Sequence, residues 1–479
     1  MISSILSMYR PNFAKTIVYM LQATEYNVPT YFKWLGRVHD FRKVMYRRDL
    51  HKTRVAKLLL SFVRGGMLIQ ELAAVIWFVH LILNPTAWQF FAAAILFVSA
   101  PLVWSVLSVL PLVAGRWFII EPLTWWQVWQ SKRIFSKHKA IKIAVAGSYG
   151  KTTMKEILKE VLAGSKKVAA TPANKNVARA HAQFAKGLSG DEEIMIIEFG
   201  EGAPGDVWQF TRVVKPDIAV ITGLAPAHLD KYKSLQAAGD DIFYLGRYLK
   251  AKDVYVNQDS QAVKPFLKAT YQLYGHDGAA GWRVSDIKSD LKGLSFKLKR
   301  GNDELVLSSQ LVGQHQVGPL ALAAILAKRL GLDDEAIKAG IARVESFEHR
   351  MQPKEIHDGW LIDDTYNGNI DGMKVGLDLL KDLKAKRKIY VTPGLVDQGA
   401  ETDKIHQQLG EMIAAATPDI VVLMKHSVTD DIQIGLKSKK FTGKVIVEDD
   451  PLNFYNNLDQ FMAAGDLVLM QNDWPDNYV

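Results

Sequence analysis

Hydrophobic and polar positions change rhythm twice along the chain. Between 67 and 114 lie two long apolar stretches, 67–83 and 88–114, and the second carries no charged residue at all. From about 140 onward, short apolar runs alternate with segments of helical spacing, and near 347 that alternation starts afresh. In the middle stretch, 141–145, 168–171, 194–197, 217–222 and 253–257 read as strands. A helix from 154 to 162 is expected between the first two, with its lysines and glutamates outward. From 282 to 311 the pattern becomes a polar–apolar alternation around a Lys-Arg-Gly-Asn-Asp turn, an antiparallel hairpin appended to the sheet. Helices are expected over 318–330 and 333–344, the second capped by Asp333. In the last stretch 360–364, 388–391, 420–423, 444–447 and 467–470 read as strands, with helices reaching 384 and over 402–416 and 452–463. Strand followed by helix, repeated, predicts an α/β fold with mostly parallel sheets. Three parts follow: 1–139, a basic amphipathic segment with a two-helix membrane hairpin; 140–346, a phosphate-loop central domain; and 347–479, a Rossmann-like α/β domain.

Charge sharpens the reading of the first part. The chain of 479 residues carries a net charge of +9. Much of the excess sits before residue 66, where Arg42, Lys43, Arg47, Arg48, Lys52, Arg54, Lys57 and Arg64 crowd together. Basic residues also follow the second apolar stretch (Arg116, Lys132, Arg133, Lys137), whereas Asn84, Pro85, Thr86 and Ala87 between the stretches are uncharged and turn-forming. A bilayer needs roughly 20 apolar residues per helix, and positive charge marks the cytoplasmic side. The expectation is a hairpin in the cytoplasmic membrane with both ends, and the catalytic body, facing the cytoplasm. Pro101 and Pro111 are candidate kinks, Trp104, Trp117, Trp125 and Trp126 candidate interfacial residues, and Glu71 a residue near an interface or packed on a helix. The apolar hairpin begins too far from the start for a cleavable signal sequence. No cysteine is present, which fits a reducing compartment. Nucleic acid is not an expected partner: topology accounts for the basic residues, and no reading motif appears.

Candidate chemistry begins where the first strand of the middle stretch ends. Gly147, Ser148, Tyr149, Gly150, Lys151, Thr152 and Thr153 join that strand to a helix. Two glycines let backbone N–H groups turn inward toward an anion, and the helix start adds its positive dipole. Lys151 then reaches terminal phosphates and Thr152 a Mg²⁺ ion. The usual triphosphate loop has a glycine where this chain has Val145, so the form here is the shorter Gly-x-x-Gly-Lys-Thr-Thr. An ordinary glycine turn would show strand, turn and helix; the lysine and hydroxyl in order set the phosphate reading above it. Glu198 stands at the end of the 194–197 strand and His228 after the 217–222 strand, where an α/β sheet presents metal ligands and bases.

Taken together, these motifs resemble the Mur ligase family from about 140 to the end, and within it the branch that adds D-alanyl-D-alanine to a muramoyl tripeptide. The phosphate loop, 171–176, Glu198-Phe199-Gly200 through Pro204-Gly205-Asp206, and Ala227-His228-Leu229-Asp230 occur in the family's order. So do His349-Arg350-Met351 and Asp363-Asp364-Thr365-Tyr366-Asn367-Gly368-Asn369. The resemblance implies an ADP-forming ligase that activates a carboxylate as an acyl phosphate and closes an amide bond, with ATP and Mg²⁺. It implies that Lys151 binds the β and γ phosphates, that Thr152, Glu198 and His228 hold metal, and that Arg350 reaches the phosphates. Asp363 or Asp364 would face the ribose, His315 the nucleotide base, and Asn367 would shape the cleft. The implied partners are a muramoyl-peptide precursor and an amino acid or dipeptide; oligomeric state is left open.

Three departures accompany it. The family's carbamoylated lysine has no counterpart in 237–242, where Asp240 or Asp241 is the candidate substitute. In 313–319 His315 remains, but Gln316 and Pro319 replace two asparagines. The family's UDP-sugar domain gives way to the basic segment and hairpin. Two alternatives therefore stand beside the muramoyl-peptide ligase: a ligase for another polyamide or a lipid-linked carboxylate, and a degenerate nucleotide-binding membrane scaffold.

Overall fold

A computed structural model describes the chain except residues 1–6, 25, 45–49, 84–86, 174, 226–228, 233, 250–252, 367, 396–397, 399–400, 426–427 and 473–479. The expected turn at 84–86, His228 and Asn367 lie outside the described residues. The described backbone separates into two compact units, one within 1–125 and the other within 126–474.

The smaller unit is helical. Helices α1 (Phe13–Ala23) and α2 (Val28–Arg37) precede two long ones, α3 (Arg54–Leu83) and α4 (Ala87–Leu107). Among the described residues two helical stretches are long and apolar enough to cross a membrane, Arg54–Ile82 and Trp88–Lys137, consistent with a transmembrane hairpin. Their outward positions include Leu68, Ile69, Ile76, Phe91 and Ile95, all exposed, as lipid-facing residues are. Between the helices the contacts are specific: Trp104 Nε1 donates to Gln70 Oε1 at 2.9 Å, and Gln70 Nε2 donates to the Leu96 carbonyl at 2.8 Å. A side chain at Gly66 would strike the Trp104 ring, 2.2 Å from where its Cβ would stand.

Helix boundaries here differ from the expectation. α3 starts at Arg54, not 67, so Lys57 and Arg64 are helical residues instead of a flank. The second apolar stretch is no single helix: α4 stops at Leu107, a short helix (Leu110–Gly115) and a π turn (Arg116–Ile120) follow, and α5 (Glu121–Lys137) leads into the larger unit. Proline explains both behaviours. Pro111 has no N–H for the Leu107 carbonyl, and the break falls there. Pro101 similarly frees the Phe97 carbonyl, but that oxygen accepts the Tyr9 hydroxyl at 2.6 Å and α4 continues.

In the larger unit α5 contributes Phe135 to a core with Ala144, Ile197 and Phe210, so this body begins before the first strand. That strand, β1 (Ile141–Ala146), is followed by α6 (Lys151–Ala163), β2 (Val168–Ala170), α7 (Ala178–Lys186), β3 (Ile194–Glu198), α8 (Asp206–Val214) and β4 (Ile218–Ile221). Then come α9 (Leu235–Ile242), β5 (Val254–Asn257), β6 (Gln272–Gly275), β7 (Gly278–Ala279), β8 (Trp282–Asp290), β9 (Gly293–Arg300) and β10 (Asp303–Ser309). Two helices, α10 (Val317–Arg329) and α11 (Asp334–Ala342), close the segment, with Asp333 capping α11 through the Ala336 N–H. These strands form one ten-stranded sheet ordered β10-β9-β8-β7-β6-β5-β4-β1-β3-β2, parallel from β2 to β6 and antiparallel beyond.

The last segment builds a second sheet from β11 (Gln352–Ile356), β12 (Gly359–Asp364), β13 (Arg387–Thr392), β14 (Ile420–Met424), β15 (Lys444–Glu448) and β16 (Asp466–Gln471), ordered β11-β12-β16-β13-β14-β15. All its pairs are parallel except β11 with β12. Helix α12 (Ile370–Asp382) follows β12, and α13 (Thr402–Ala416) and α14 (Thr429–Ser438) cover the sheet. The segment expected as one helix over 452–463 is two short ones, Pro451–Asn456 and Leu458–Phe461, separated at Asn457.

Candidate functional site

The strand order creates the site. β1 lies between β3 and β4: the crossover after β1 leads to β2 on the β3 side, and the one after β3 passes back across β1 to β4 on the other. That reversal opens a crevice at the carboxyl ends of the strands. Three segments meet there: the loop 147–150 after β1, Glu198 at the end of β3, and Thr222 with Gly223 after β4. Register places Val145 beside Glu198 and Ala146 beside Ile221.

Glycine is required in this loop. Gly147 has φ +138°, and a Cβ there would stand 2.4 Å from Thr222 Oγ1 and 2.8 Å from the Gly223 carbonyl. Gly150 has φ +71° and precedes the first residue of α6. The Ser148 N–H donates to the Gly223 carbonyl at 2.9 Å, and the Thr222 hydroxyl donates to the Tyr149 carbonyl. Tyr149 lies over Gly223, where any side chain would overlap its ring. Burial pushes the Tyr149 phenol up to about 12, and the charges of Asp371 and Asp259 add to this.

Around the start of α6 the expected polar groups converge. Thr152 Oγ1 donates to Glu198 Oε1 at 3.2 Å, and Asn176 Nδ2 donates to the same oxygen at 3.1 Å. Arg350 Nη2 lies 3.4 Å from Thr152 Oγ1, so a residue of the last segment reaches the phosphate loop. Its guanidinium sits 4.5 Å from the centre of the Tyr366 ring, a cation–π contact. Lys151 Nζ donates to the Gly147 carbonyl at 2.6 Å and to Glu201 Oε1 at 2.9 Å.

The Arg350 turn is strained and pinned from both sides. His349 (φ +58°) and Met351 (φ +48°) both adopt the left-handed region that non-glycine residues rarely occupy. Asp363 accepts His349 Nδ1 at 2.9 Å and Lys354 Nζ at 2.7 Å; Asp364 accepts the Met351 N–H at 3.2 Å and Gln471 Nε2 at 2.8 Å. Consecutive carboxylates at the end of β12 thus hold the two neighbours of Arg350. Their environments differ. Burial pushes Asp364 up to about 6 against the opposing hydrogen bonds and the charge of Arg350. At Asp363 burial also raises, but the hydrogen bonds from Lys354, Thr365 and His349 prevail and hold it below its usual range.

Two residues of the site escaped the pattern reading. Lys155 was expected on the outer face of α6, yet it is fully buried. Its ammonium donates to the carbonyls of Thr171, at 2.8 Å, and Ala173, and lies 3.6 Å from Glu198 Oε2. Lysine four residues after Lys151 falls on the same helix face, which was the available signal. Glu201 is also buried; no periodicity marks it, because it stands in the loop after β3.

Of the proposed substitutes for the missing lysine, Asp241 is occupied elsewhere. Its carboxylate accepts the N–H groups of Gly205 and Trp208 at the start of α8 and the Tyr232 hydroxyl. Asp240 is exposed, with Gln236 Nε2 at 3.4 Å. His315 is distant in sequence but borders a cavity of about 200 Å³ with Ser289, Val375, Asp378 and Leu379. Burial pulls its imidazolium down to about 4, so the ring is neutral near pH 7.

The site suits a divalent cation. Thr152 and Glu198 approach each other as two ligands of one ion do, and Glu198 Oε2 is buried without a hydrogen-bond partner. Among the described residues no group of three or more His, Cys, Asp or Glu forms a cation cage. A cation here would therefore complete its oxygen shell from the nucleotide and water, the usual pattern for Mg²⁺.

Comparison with known proteins agrees with this layout. The UDP-N-acetylmuramoyl-tripeptide–D-alanyl-D-alanine ligase of Buchnera aphidicola is 26% identical over 281 residues, covering 57% of this chain and 61% of its own length. That of Haemophilus influenzae is 28% identical over 321 residues, covering 64% of this chain and 68% of its own. The chain thus spans 61% and 68% of the length of these two curated relatives, less than two thirds of the first. In fold it is similar to the MurF ligase of Thermotoga maritima solved in complex with ADP, with a TM-score of 0.64 at 20% identity over 74% of this chain and 82% of that one. Residues 145–327 match the Mur ligase middle domain and residues 349–471 the Mur ligase glutamate ligase domain. With the phosphate loop, Glu198 and Arg350 gathered in one crevice, the chain belongs to the Mur ligase family.

Proposed function

We propose that this protein is an ATP-dependent ligase of peptidoglycan synthesis that joins an amine, D-alanyl-D-alanine by its relatives, to the carboxylate of a muramoyl-peptide precursor. It works at the membrane, with the body from 140 onward facing the cytoplasm. The observation that carries the reading is the reach of Arg350, from the last domain, to Thr152 of the phosphate loop, 3.4 Å away. A cation shared between two domains suits a γ-phosphoryl group held between them, where phosphoryl transfer depends on positioning and charge neutralisation.

On this reading the residues divide the work as follows. Backbone N–H groups of 149–153 and Lys151 receive the phosphates. Thr152 and Glu198, joined by His228, would hold Mg²⁺, which when bound neutralises phosphate charge. Arg350, stacked on Tyr366 and held by the Asp363 and Asp364 turn, draws charge from the transferring phosphoryl group while the substrate carboxylate attacks it. The resulting acyl phosphate yields to the amine, and closure of the last domain on the loop, shaped in part by Asn367, keeps water away. α12 runs from Asp371, whose charge acts on Tyr149, to Asp378 and Leu379 in the His315 cavity. That is about 10 Å along the helix, a span that supports assigning the nucleotide base to this cavity, with Asp363 or Asp364 at the ribose.

An acceptor screen on purified full-length protein, read by phosphate release and product mass, tests the proposal. Release requiring both a muramoyl-peptide carboxylate and D-alanyl-D-alanine supports it. Release with another carboxylate and amine overturns the substrate and keeps the chemistry, and no release with any pair overturns both.

A further inference from the structure

The phosphate-binding lysine of this chain is already paired. Lys151 Nζ lies 2.8 Å from Glu201 Oε2 and 2.9 Å from Glu201 Oε1, and the glutamate is 4% exposed. Glu201 stands three residues beyond Glu198. The two carboxylates bracket the start of α6: Glu198 takes the Thr152 hydroxyl and Glu201 the Lys151 ammonium. On the other side of Glu201 its charge acts on the Tyr232 phenol, four residues after His228. A triphosphate on Lys151 would therefore stand against two buried carboxylates, each with one oxygen, Glu198 Oε2 and Glu201 Oε2, that has no hydrogen-bond partner.

Like charges at such range repel strongly in a site of low dielectric. The cost is removed if a divalent cation lies between phosphate and carboxylates, and Glu201 can give up the ammonium only when its own charge is met. We propose that Glu201 makes nucleotide binding conditional on the divalent cation: it holds Lys151 in an ion pair against metal-free nucleotide and turns to the cation when Mg²⁺ arrives with ATP. This rests on the nucleotide reading above and adds a cation-facing residue to it. It also supplies carboxylate charge in a chain whose Asp241 caps α8.

Calorimetric titration of ATP into the full-length protein in detergent, with Mg²⁺ or with EDTA, tests it. A charge-assisted hydrogen bond is worth roughly ten- to a hundredfold in binding. Glu201→Gln should therefore bind ATP in EDTA at least tenfold more tightly than wild type, and the gain in affinity on adding Mg²⁺ should shrink by at least that factor. Glu201→Ala should behave alike, and Glu201→Asp, which keeps the charge, should retain the dependence on Mg²⁺. Thermal melts of each variant establish that it is folded. An unchanged ratio of EDTA to Mg²⁺ dissociation constants in both Glu201→Gln and Glu201→Ala overturns the inference and leaves the nucleotide reading standing. ATP failing to bind wild type under either condition overturns both.

Discussion

Replacing Lys155 by methionine should destabilise the larger unit and at the same time strengthen its response to Mg²⁺. Methionine fills a similar volume, so packing changes little and the lost ammonium dominates. That ammonium stands 3.6 Å from Glu198 Oε2 and donates to two carbonyls of the loop after β2. At that separation, with an effective dielectric near 20, the attraction is about 5 kcal/mol. Removing one partner of a buried pair costs about 3–5 kcal/mol, because the other charge stays behind uncompensated. With an unfolding entropy of about 2.1 cal/mol/K per residue, each kcal/mol moves the melting temperature of a unit spanning 126–474 by roughly 1.4 °C, so Lys155→Met should melt about 5 °C below wild type in EDTA. Mg²⁺ then acts on Glu198 with no competing ammonium, and a ligand that binds only the folded state raises its stability by mass action. Scanning calorimetry of the full-length protein should show Mg²⁺ raising the variant's melting temperature by more than the wild type's. Equal melting temperatures in EDTA, or equal Mg²⁺ increments, would refute the account of Lys155 as the internal counter-ion of Glu198.

Three further outcomes follow from the geometry. Gly147→Ala puts a Cβ 2.4 Å from Thr222 Oγ1 at φ +138°; backbone strain of about 1–3 kcal/mol should weaken binding of a fluorescent ATP analogue by about five- to a hundredfold, and affinity equal to wild type would sink the argument. Asp364, raised by burial to about 6, binds its proton more tightly folded than unfolded, so its contribution is fully present below about pH 4 and is lost as pH rises to about 6, a change of roughly 3 kcal/mol. Asp364→Asn should therefore flatten the pH dependence of urea unfolding between pH 4 and 7, and parallel curves for variant and wild type would contradict it. Gln70→Leu removes the bonds to Trp104 and the Leu96 carbonyl; interhelical bonds in membranes average about 0.6 kcal/mol and reach about 2, so unfolding in mixed micelles should show a loss of roughly 1 kcal/mol, and no loss would mean that these bonds do not hold the hairpin.

What the sequence made legible, and what it hid, divides along a physical line. A buried parallel strand is a short apolar run, and its carboxyl end is where the run stops; hence β1, β3, β4 and β12 and the residues that follow them were readable from one dimension. Membrane-length helices were equally plain, but not their ends. Arg54, Lys57 and Arg64 read as a flank because charge was taken to exclude them from the apolar helix, whereas long basic side chains extend along a helix and keep their heads in water. The break after Leu107 depended on where a proline's orphaned carbonyl finds a donor, and Tyr9, which rescues the Phe97 carbonyl at Pro101, is 88 positions away. Lys155 and Glu201 were hidden for a related reason. Each is a charge with partners from another segment: Thr171 and Glu198 for Lys155, beside its neighbour Glu156 at 3.0 Å, and Lys151 for Glu201. Periodicity assigns a lone lysine to solvent because burying an unpaired charge is prohibitive, and that assignment fails wherever folding supplies the partner. The proposed polyphosphate site is one where such pairs are expected, since cations that bind an anionic ligand must be kept in place without it. The residues least legible in the sequence, Lys155 and Glu201, are therefore the ones whose charges set how tightly Glu198 and Lys151 are held.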